Sequence, residues 1–505
     1  MKKMKKSELI KLNRSEYRDK VYACWLGKNI GGTMGAPYEG SREMQDVHGF
    51  ASAPGKPLPN DDLDLQLVWL AAVERCGIQQ INAQTLGEFW LSFIGPHWNE
   101  YGIGKANMKM GLVPPFAGDY HNNWKDSNGA WIRTEIWACL EAGRPDFAAK
   151  LARDDAFVDH GVGEGTYAAI FVAAMQAAAF TLENIRECID VGLSKIPAES
   201  RVGASVRFAI ECYEKGMTLA DARNAIQRSN ADIGDGWFEA PSNVAYTILG
   251  LLYGEGDFKK SMIAAINCGD DTDCTGATVG ATLGILYGTR GIPEDWAAYI
   301  GDEIITLCID KGTYHDVPET CTALTDRVIE ASAHTLPVDF IYPDYYWSWQ
   351  RVEMTDGESE VPDDLCERYL RCPATRELTA REYHPHSVTM RNTVISATLS
   401  LPEGADVQAG EVKKMKLYFR VNGHIVGNIP QRLTVRWWLP EGWHVEGKQM
   451  LTAEAPNDRR PTSFVMMEEY TLTASESVAP VNPVVLELNP LGRVSPLYIP
   501  VQFMG

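Results

Sequence analysis

Gly269-Asp270-Asp271-Thr272-Asp273-Cys274-Thr275-Gly276-Ala277-Thr278-Val279-Gly280-Ala281-Thr282-Leu283-Gly284-Ile285-Leu286-Tyr287-Gly288 is acidic at one end and glycine-striped beyond it. Gly276, Gly280, Gly284 and Gly288 recur every fourth residue, so in a helix they share one face. A glycine inside a helix costs about 1 kcal/mol relative to alanine, and the stripe therefore needs a compensating gain. A face without side chains supplies one by letting another helix approach closely. Gly27, Gly31 and Gly35 repeat the pattern just before Ala36-Pro37-Tyr38-Glu39. Two such helices, each packed on central helices, would deliver Glu39 at the end of the first.

The surrounding sequence is helical too. Ala, Leu and Ile recur at three- and four-residue spacing in Leu63–Val73, Ala168–Phe180, Ala204–Tyr213 and Val244–Tyr253, the period of an amphipathic helix. Glycine and proline punctuate these runs, at Gly77, Gly111–Pro115, Gly161–Gly165, Gly216, Gly234–Gly236 and Gly254–Gly256. Residues 15–336 are accordingly read as one all-α domain.

The pattern then changes. Residues 337–384 are aromatic and irregular, with Tyr342, Tyr345, Tyr346, Trp347 and Trp349. So many aromatics are rarely left in water, and the stretch is read as a connector packed on the helices. In residues 385–505 the period becomes two: Val388-Thr389-Met390, Thr393–Leu401, Lys414–Val421, Arg432–Leu439 and Val484–Leu488 are strand-like. Turn signals lie at Pro402-Glu403-Gly404, Asn422-Gly423 and Pro440-Glu441-Gly442. Short strands at this spacing predict an antiparallel, Ig-like β-sandwich. The fold class is therefore multidomain, α then β.

Composition narrows the function. The 505 residues carry 47 Lys+Arg and 67 Asp+Glu, a formal charge of −20. That balance argues against a nucleic-acid partner, which needs a basic surface to displace phosphate counterions. Eleven scattered cysteines without a CxxC pair fit a reducing compartment, and a cytoplasmic protein is expected. Tyr167–Leu182 is the longest weakly polar run, shorter than the roughly 20 residues of a membrane span. The lysine-rich start is followed by no apolar stretch of the kind a secretory signal has. No membrane partner is expected.

Chemistry concentrates in two acidic clusters, Asn60-Asp61-Asp62-Leu63-Asp64 and Gly269-Asp270-Asp271-Thr272-Asp273-Cys274-Thr275. Adjacent residues of a regular helix point to different sides. Each cluster therefore belongs in a loop or first turn ahead of its helix, where backbone N–H groups favour negative charge. One aspartate there is ordinary capping; six acids in two clusters exceed what capping requires. Gathered together they would repel one another unless they shared cations, and hard oxygen donors suit Mg²⁺, Mn²⁺ or Ca²⁺. Asp64 and Asp270 are extra acids that either tune the site or are simply solvated, and they are read as the latter.

Gly31-Gly32-Thr33-Met34-Gly35-Ala36-Pro37-Tyr38-Glu39, then Asn60-Asp61-Asp62, then Asp271-Thr272-Asp273 before the striped helix resembles the ADP-ribosylglycohydrolase family, which includes the dinitrogenase-reductase-activating glycohydrolases. Ser127-Asn128-Gly129-Ala130-Trp131-Ile132-Arg133 and the surroundings of His160 add to the likeness, which spans about residues 18–335. Trp438-Leu439-Pro440-Glu441-Gly442-Trp443 is similar, less specifically, to Ig-like modules of carbohydrate-active enzymes. The family resemblance implies an all-α fold with two Mg²⁺ (or Mn²⁺) ions and hydrolysis at C1″ of an ADP-ribosyl group. By position it implies Asp61 and Asp62 on one ion, Asp271 on the other, Asp273 bridging, and Glu39 against ions or substrate. Three positions depart from the family pattern: Asn60 replaces the usual Thr, Cys274 a Thr or Ser, and Gly32 an Asp. Asn60 retains an amide oxygen for a hard cation, while Cys274 is a softer ligand for which Thr275 or water could substitute.

Cleavage at C1″ builds oxocarbenium character on the sugar. A carboxylate bound tightly to metal is a poor base, so a peripheral one is better placed. Glu39 is expected as base or water-positioner, with Asp62 the second candidate catalytic carboxylate. Around them, Asn128 and Arg133 are candidates to shape the distal pocket, Arg133 either pairing with a phosphate or serving as an internal ion-pair partner. His160 is either a substrate contact or a core histidine. Asp235, Trp237 and Asn243 are candidates to line the cleft, the tryptophan by stacking or as a core residue. Two other functions remain open: a catalytically reduced relative acting as a scaffold through its sandwich, and a glycosidase of a small glycoside unrelated to ADP-ribose. The sandwich is also a candidate face for homo-oligomer formation.

Overall fold

The structure, a computed structural model, describes residues 9–234, 237–310, 312, 314–336, 351–371, 386–422, 429–454 and 465–505. At its centre, the glycine helices Arg14–Gly35 and Thr272–Tyr287 pack against each other. A Cβ on Gly27 would fall within 3.0 Å of Gly280, one on Gly31 of Gly276, one on Gly35 of Thr272, and one on Gly284 of Ala23. Each advance of four along one helix is matched by a retreat of four along the other, so the two run antiparallel. The stripes serve one backbone-to-backbone crossing between themselves, where the spacing predicts packing on other central helices.

The four helical runs read from periodicity lie in the helices Asp61–Cys76, Glu164–Ala179, Arg201–Glu214 and Ala240–Tyr253. Trp25, Trp69, Trp90, Trp131 and Trp137 are wholly buried among them. At the domain edge Ile10–Asn13 pairs in parallel with Val352–Thr355, a ribbon with no signal in the sequence. The helix Leu365–Arg371 is tied down by Lys195 Nζ donating to the Tyr369 carbonyl (2.7 Å) and Tyr369 donating to the Gly143 carbonyl (2.7 Å). The part of the connector spanning 351–371 is thus packed on the helices, while the expected aromatic cluster at 342–349 lies outside the described residues.

Two antiparallel sheets form the C-terminal region. One runs Leu497–Met504, Val481–Pro490, Gln431–Trp438, Met450–Ala453. The other runs Ser387–Arg391, Ile395–Ser400, Val412–Val421, Met466–Thr473, His444–Glu446. Along Val412–Val421 buried and more open residues alternate, as a strand with one face on a core requires. Leu417, Phe419, Leu433, Leu486 and Ile499 fill that core, and Leu112 and Phe116 of the helical domain join it. Tyr120 adds a hydrogen bond to Asp406 (3.0 Å) across the same junction. No described helix is long and apolar enough to cross a membrane.

Candidate active site

The antiparallel crossing places the end of one glycine helix beside the start of the other. Glu39, just past Gly35, therefore meets Asp271 and Asp273 at the head of the second helix, where Asp271 holds the N-cap position and Asp273 the first turn. The helix Asp61–Cys76 brings its own first turn to the same place. Ligand atoms of Glu39, Asp271 and Asp273 lie within 4.8 Å of one another, as do those of Asp62, Asp273 and Cys274. Asp273 belongs to both sets.

This gathering carries excess negative charge. Asp62 Oδ2, Asp271 Oδ1 and Asp273 Oδ1 are buried and accept no hydrogen bond among the described residues. Burial pushes the Asp62 and Asp271 carboxyls well above the usual range, with neighbouring aspartates adding to the shift. Burial likewise raises Asp273 to about 6. Glu39 is exposed at the rim, and it is pushed up to about 8 first by the Asp273 charge. Oxygen donors held close with uncompensated charge are what a hard divalent cation would satisfy, and the residues present fit one.

Several residues hold the acids in place. Asn128 donates to Asp271 Oδ2 (2.7 Å), and its own Oδ1 accepts from Trp131 Nε1 (2.9 Å). Asn243 accepts from the Asp271 backbone N–H (3.3 Å) and donates to Asp270 Oδ2 (3.1 Å). The sequence makes Asn128 a candidate to shape the distal pocket and Asn243 one to line the cleft; in the structure both support the second cluster. Tyr101 donates to Asp61 Oδ2 (2.9 Å). Buried Lys28 lies 3.1 Å from Glu135 and 3.8 Å from Asp62, and Gln66 donates to the Asp62 carbonyl (2.8 Å) and to Glu135 (2.9 Å). Lys28, Gln66, Tyr101 and Glu135 do not stand out in the sequence, where only a lysine and a glutamine inside otherwise apolar helices hint at them.

The remaining candidates have the following surroundings. Asn60 spends its amide oxygen as helix cap, accepting from Asp62 N–H (2.8 Å). Cys274 donates its thiol to Asp62 Oδ1 (3.3 Å), and burial holds that thiol far above its usual range. Thr275 donates to the Thr272 carbonyl of its own helix (3.3 Å). Asp64 and Asp270 are not solvated: buried Asp64 accepts from the backbone N–H groups of Leu307 and Cys308, and Asp270 accepts from Phe238 N–H (3.1 Å). Arg133 is completely buried and pairs with Asp155 (2.9 Å) and Asp159 (2.7 Å), so its guanidinium is committed inside the fold and does not reach for a phosphate. His160 is buried as well, its Nδ1 2.9 Å from Asp159 and its Nε2 3.2 Å from Ser127 Oγ, which makes it a core histidine. Trp237 is 39% exposed and beside Gly40, whose Cβ would lie 3.7 Å from its ring. Asp235 lies outside the described residues.

No curated protein matches the chain. Among solved structures, an "ADP-ribosylglycohydrolase-related protein complex" is 20% identical, covering 63% of this chain and 99% of its own, with a TM-score of 0.43. A FixG-related protein from Vibrio parahaemolyticus is 10% identical, covering 22% of this chain and 94% of its own, with a TM-score of 0.18. The sequence model of the ADP-ribosylglycohydrolase family matches residues 13–333, which is more than half of the chain and contains both acidic clusters. The chain belongs to the ADP-ribosylglycohydrolase family, glycosidase-type hydrolases.

Proposed function

We propose that this chain hydrolyses the C1″ glycosidic bond of an ADP-ribosyl or related ribosyl compound at a site holding two Mg²⁺ ions, with Mn²⁺ as an alternative. The observation that carries the reading is the position of Asp273, shared by two acidic sets, each with ligand atoms within 4.8 Å of one another. Asp61 and Asp62 would hold one ion and Asp271 the other, with Asp273 shared and Glu39 at the rim beside them.

When bound, the ions supply Lewis-acid charge that orients ribose hydroxyls and acidifies a water. Buried Asp62, Asp271 and Asp273 are shielded from bulk water and fixed by Asn128, Asn243 and Lys28, so they hold position and charge. Glu39 is the exposed carboxylate of the group and takes the proton of the incoming water, a task that needs access to solvent and a lone pair not committed to metal. Eleven cysteines without a paired spacing support a cytoplasmic setting.

Two measurements test this. Calorimetric titration with Mg²⁺ should show binding that Asp271→Ala abolishes. Hydrolysis should then appear with ADP-ribosyl-arginine, ADP-ribosyl-serine, ADP-ribose 1″-phosphate or a simple N-riboside. A wild-type protein that binds no Mg²⁺ would favour a scaffold role.

A further inference from the structure

The polar residues that flank the acids differ in where they turn. The hydroxyl of Thr275 bonds back to its own helix, donating to the Thr272 carbonyl (3.3 Å), and the amide oxygen of Asn60 caps another helix. Cys274 is turned towards the acids. Its Sγ and one carboxylate oxygen each of Asp62 and Asp273 lie within 4.8 Å of one another, and its thiol donates to Asp62 Oδ1 (3.3 Å). All three side chains are buried. Asp62 Oδ2 and Asp273 Oδ1 are buried with them and accept no hydrogen bond among the described residues. The nearby cation Lys28 stands 3.8 Å from Asp62 and closer to Glu135, at 3.1 Å.

The two halves of the site therefore offer different atoms. Asp271 and Asp273, with Glu39 beside them, present oxygen alone, the donor that Mg²⁺ prefers. Asp62, Asp273 and Cys274 present two oxygens and a sulfur. Mg²⁺ gains little from sulfur and gives up its water reluctantly, whereas a thiolate favours ions such as Co²⁺ and Zn²⁺. Two carboxylates and a thiolate carry one negative charge more than a divalent ion, and the buried ammonium of Lys28 beside Asp62 offsets it. Binding breaks the S–H bond and forms a metal–sulfur bond, and the proton leaves to solvent.

We infer that Cys274 ligates the ion held by Asp62 and Asp273, so that this position takes a thiophilic divalent ion such as Co²⁺ or Zn²⁺ in preference to Mg²⁺, while the oxygen-only position keeps Mg²⁺. The inference rests on the two-ion reading above and concerns which ion fills one of its positions.

Co²⁺ is the probe, because a cobalt–thiolate bond adds a near-ultraviolet charge-transfer absorption that oxygen ligands do not give. Titrated into the full-length wild type, Co²⁺ should raise that band until one ion per chain is bound. Cys274→Ser should lack the band, and its calorimetric preference for Co²⁺ over Mg²⁺ should fall by at least about tenfold, the lower end of what losing even an outer partner of a metal site costs. Its Mg²⁺ affinity should not fall, since a serine hydroxyl is a hard donor. Melting of the metal-free variant shows whether it folds, and the wild-type spectrum decides the question even where it does not. Wild type that binds Co²⁺ and Mg²⁺ without the band, or a band that survives in Cys274→Ser, overturns the inference and leaves the two-ion reading standing. A wild type that binds neither ion overturns both.

Discussion

The side-chain amide of Asn60 occupies the space that a side chain at residue 32 would need: a Cβ on Gly32 would fall within 3.0 Å of Asn60 Nδ2. Two of the three departures from the family pattern therefore depend on each other. The amide that caps the helix Asp61–Cys76 fits because position 32 is bare, and the bare position is filled by that amide. Gly32→Ala should push Asn60 off its cap and lower stability by about 1–3 kcal/mol, the usual range for overpacking. Asn60→Ser, which keeps a capping oxygen on a shorter side chain, should recover most of that loss in the double variant. Denaturant unfolding of the two single variants and the double variant tests this; additive losses would show the positions to be independent.

The glycine crossing makes a sharper demand. A Cβ on Gly31 would collide with the backbone of Gly276, which cannot rotate away as a side chain can. Gly31→Ala should destabilise by at least about 1–3 kcal/mol and weaken Mg²⁺ binding, because it separates Glu39 from Asp271 and Asp273. Gly49, where an added Cβ would meet nothing within 4 Å, is the control, and Gly49→Ala should leave both properties unchanged. Matching effects of the two substitutions, by thermal melting and Mg²⁺ calorimetry, would contradict the crossing.

How much of this is legible in the sequence depends on whether a signal is local. Four-residue glycine spacing and consecutive aspartates are local, so the two glycine helices and both acidic clusters can be read directly. The pairing of Gly31 with Gly276 is not local: spacing shows that a face is bare but not what covers it. Asp64 and Asp270 look like solvated extras because their partners, the N–H groups of Leu307, Cys308 and Phe238, carry no sequence signature. Arg133 and His160 are similarly ambiguous. Asp155 and Asp159 stand well apart from Arg133 in the chain, and one helix with its C-terminal turn carries both to it. The parallel pairing of Ile10–Asn13 with Val352–Thr355 joins segments from distant parts of the chain and leaves no periodic trace in either.

Arg133 invites a prediction that separates structure from binding. Its guanidinium bonds to Asp155, Asp159 and the Gly129 carbonyl (2.6 Å) and lies 4.6 Å from the Trp90 ring centroid. Arg133→Gln would leave two buried carboxylates without their cation, which costs about 3–5 kcal/mol. The variant should melt far below wild type or fail to accumulate folded. A normally stable Arg133→Gln protein with only a raised KM would mean that the residue meets substrate instead.

The metal-free site should also respond to pH in a specific sense. Glu39 and Asp273 titrate at about 8 and about 6, raised from 4.5 and 3.8. Between the ordinary and the raised values the folded protein holds protons that the unfolded chain has already released. Their contribution to stability is therefore full below about pH 4 and is lost as pH rises towards 8. Mg²⁺ would replace those protons and flatten the slope. Melting temperatures measured from pH 5 to pH 8 in EDTA and in excess Mg²⁺ should diverge as pH rises; parallel curves would mean that no cation neutralises these carboxylates.

Glu39 and Asp273 should separate kinetically as well. Asp273 lies in both acidic sets and is buried, so Asp273→Asn removes a charge that each ion would share and should abolish Mg²⁺ binding and hydrolysis together. Glu39 is exposed at the rim and belongs to one set only. Glu39→Gln keeps an oxygen but loses a base, so Mg²⁺ should still bind while kcat falls about 10²–10⁴-fold, the usual contribution of a positioned base. The pH–rate profile should flatten in the same variant, since the group whose ionisation shaped it is gone. Should Glu39→Gln turn over at the wild-type rate, the proton must go elsewhere, and Asp62, the other candidate carboxylate, becomes the residue to replace.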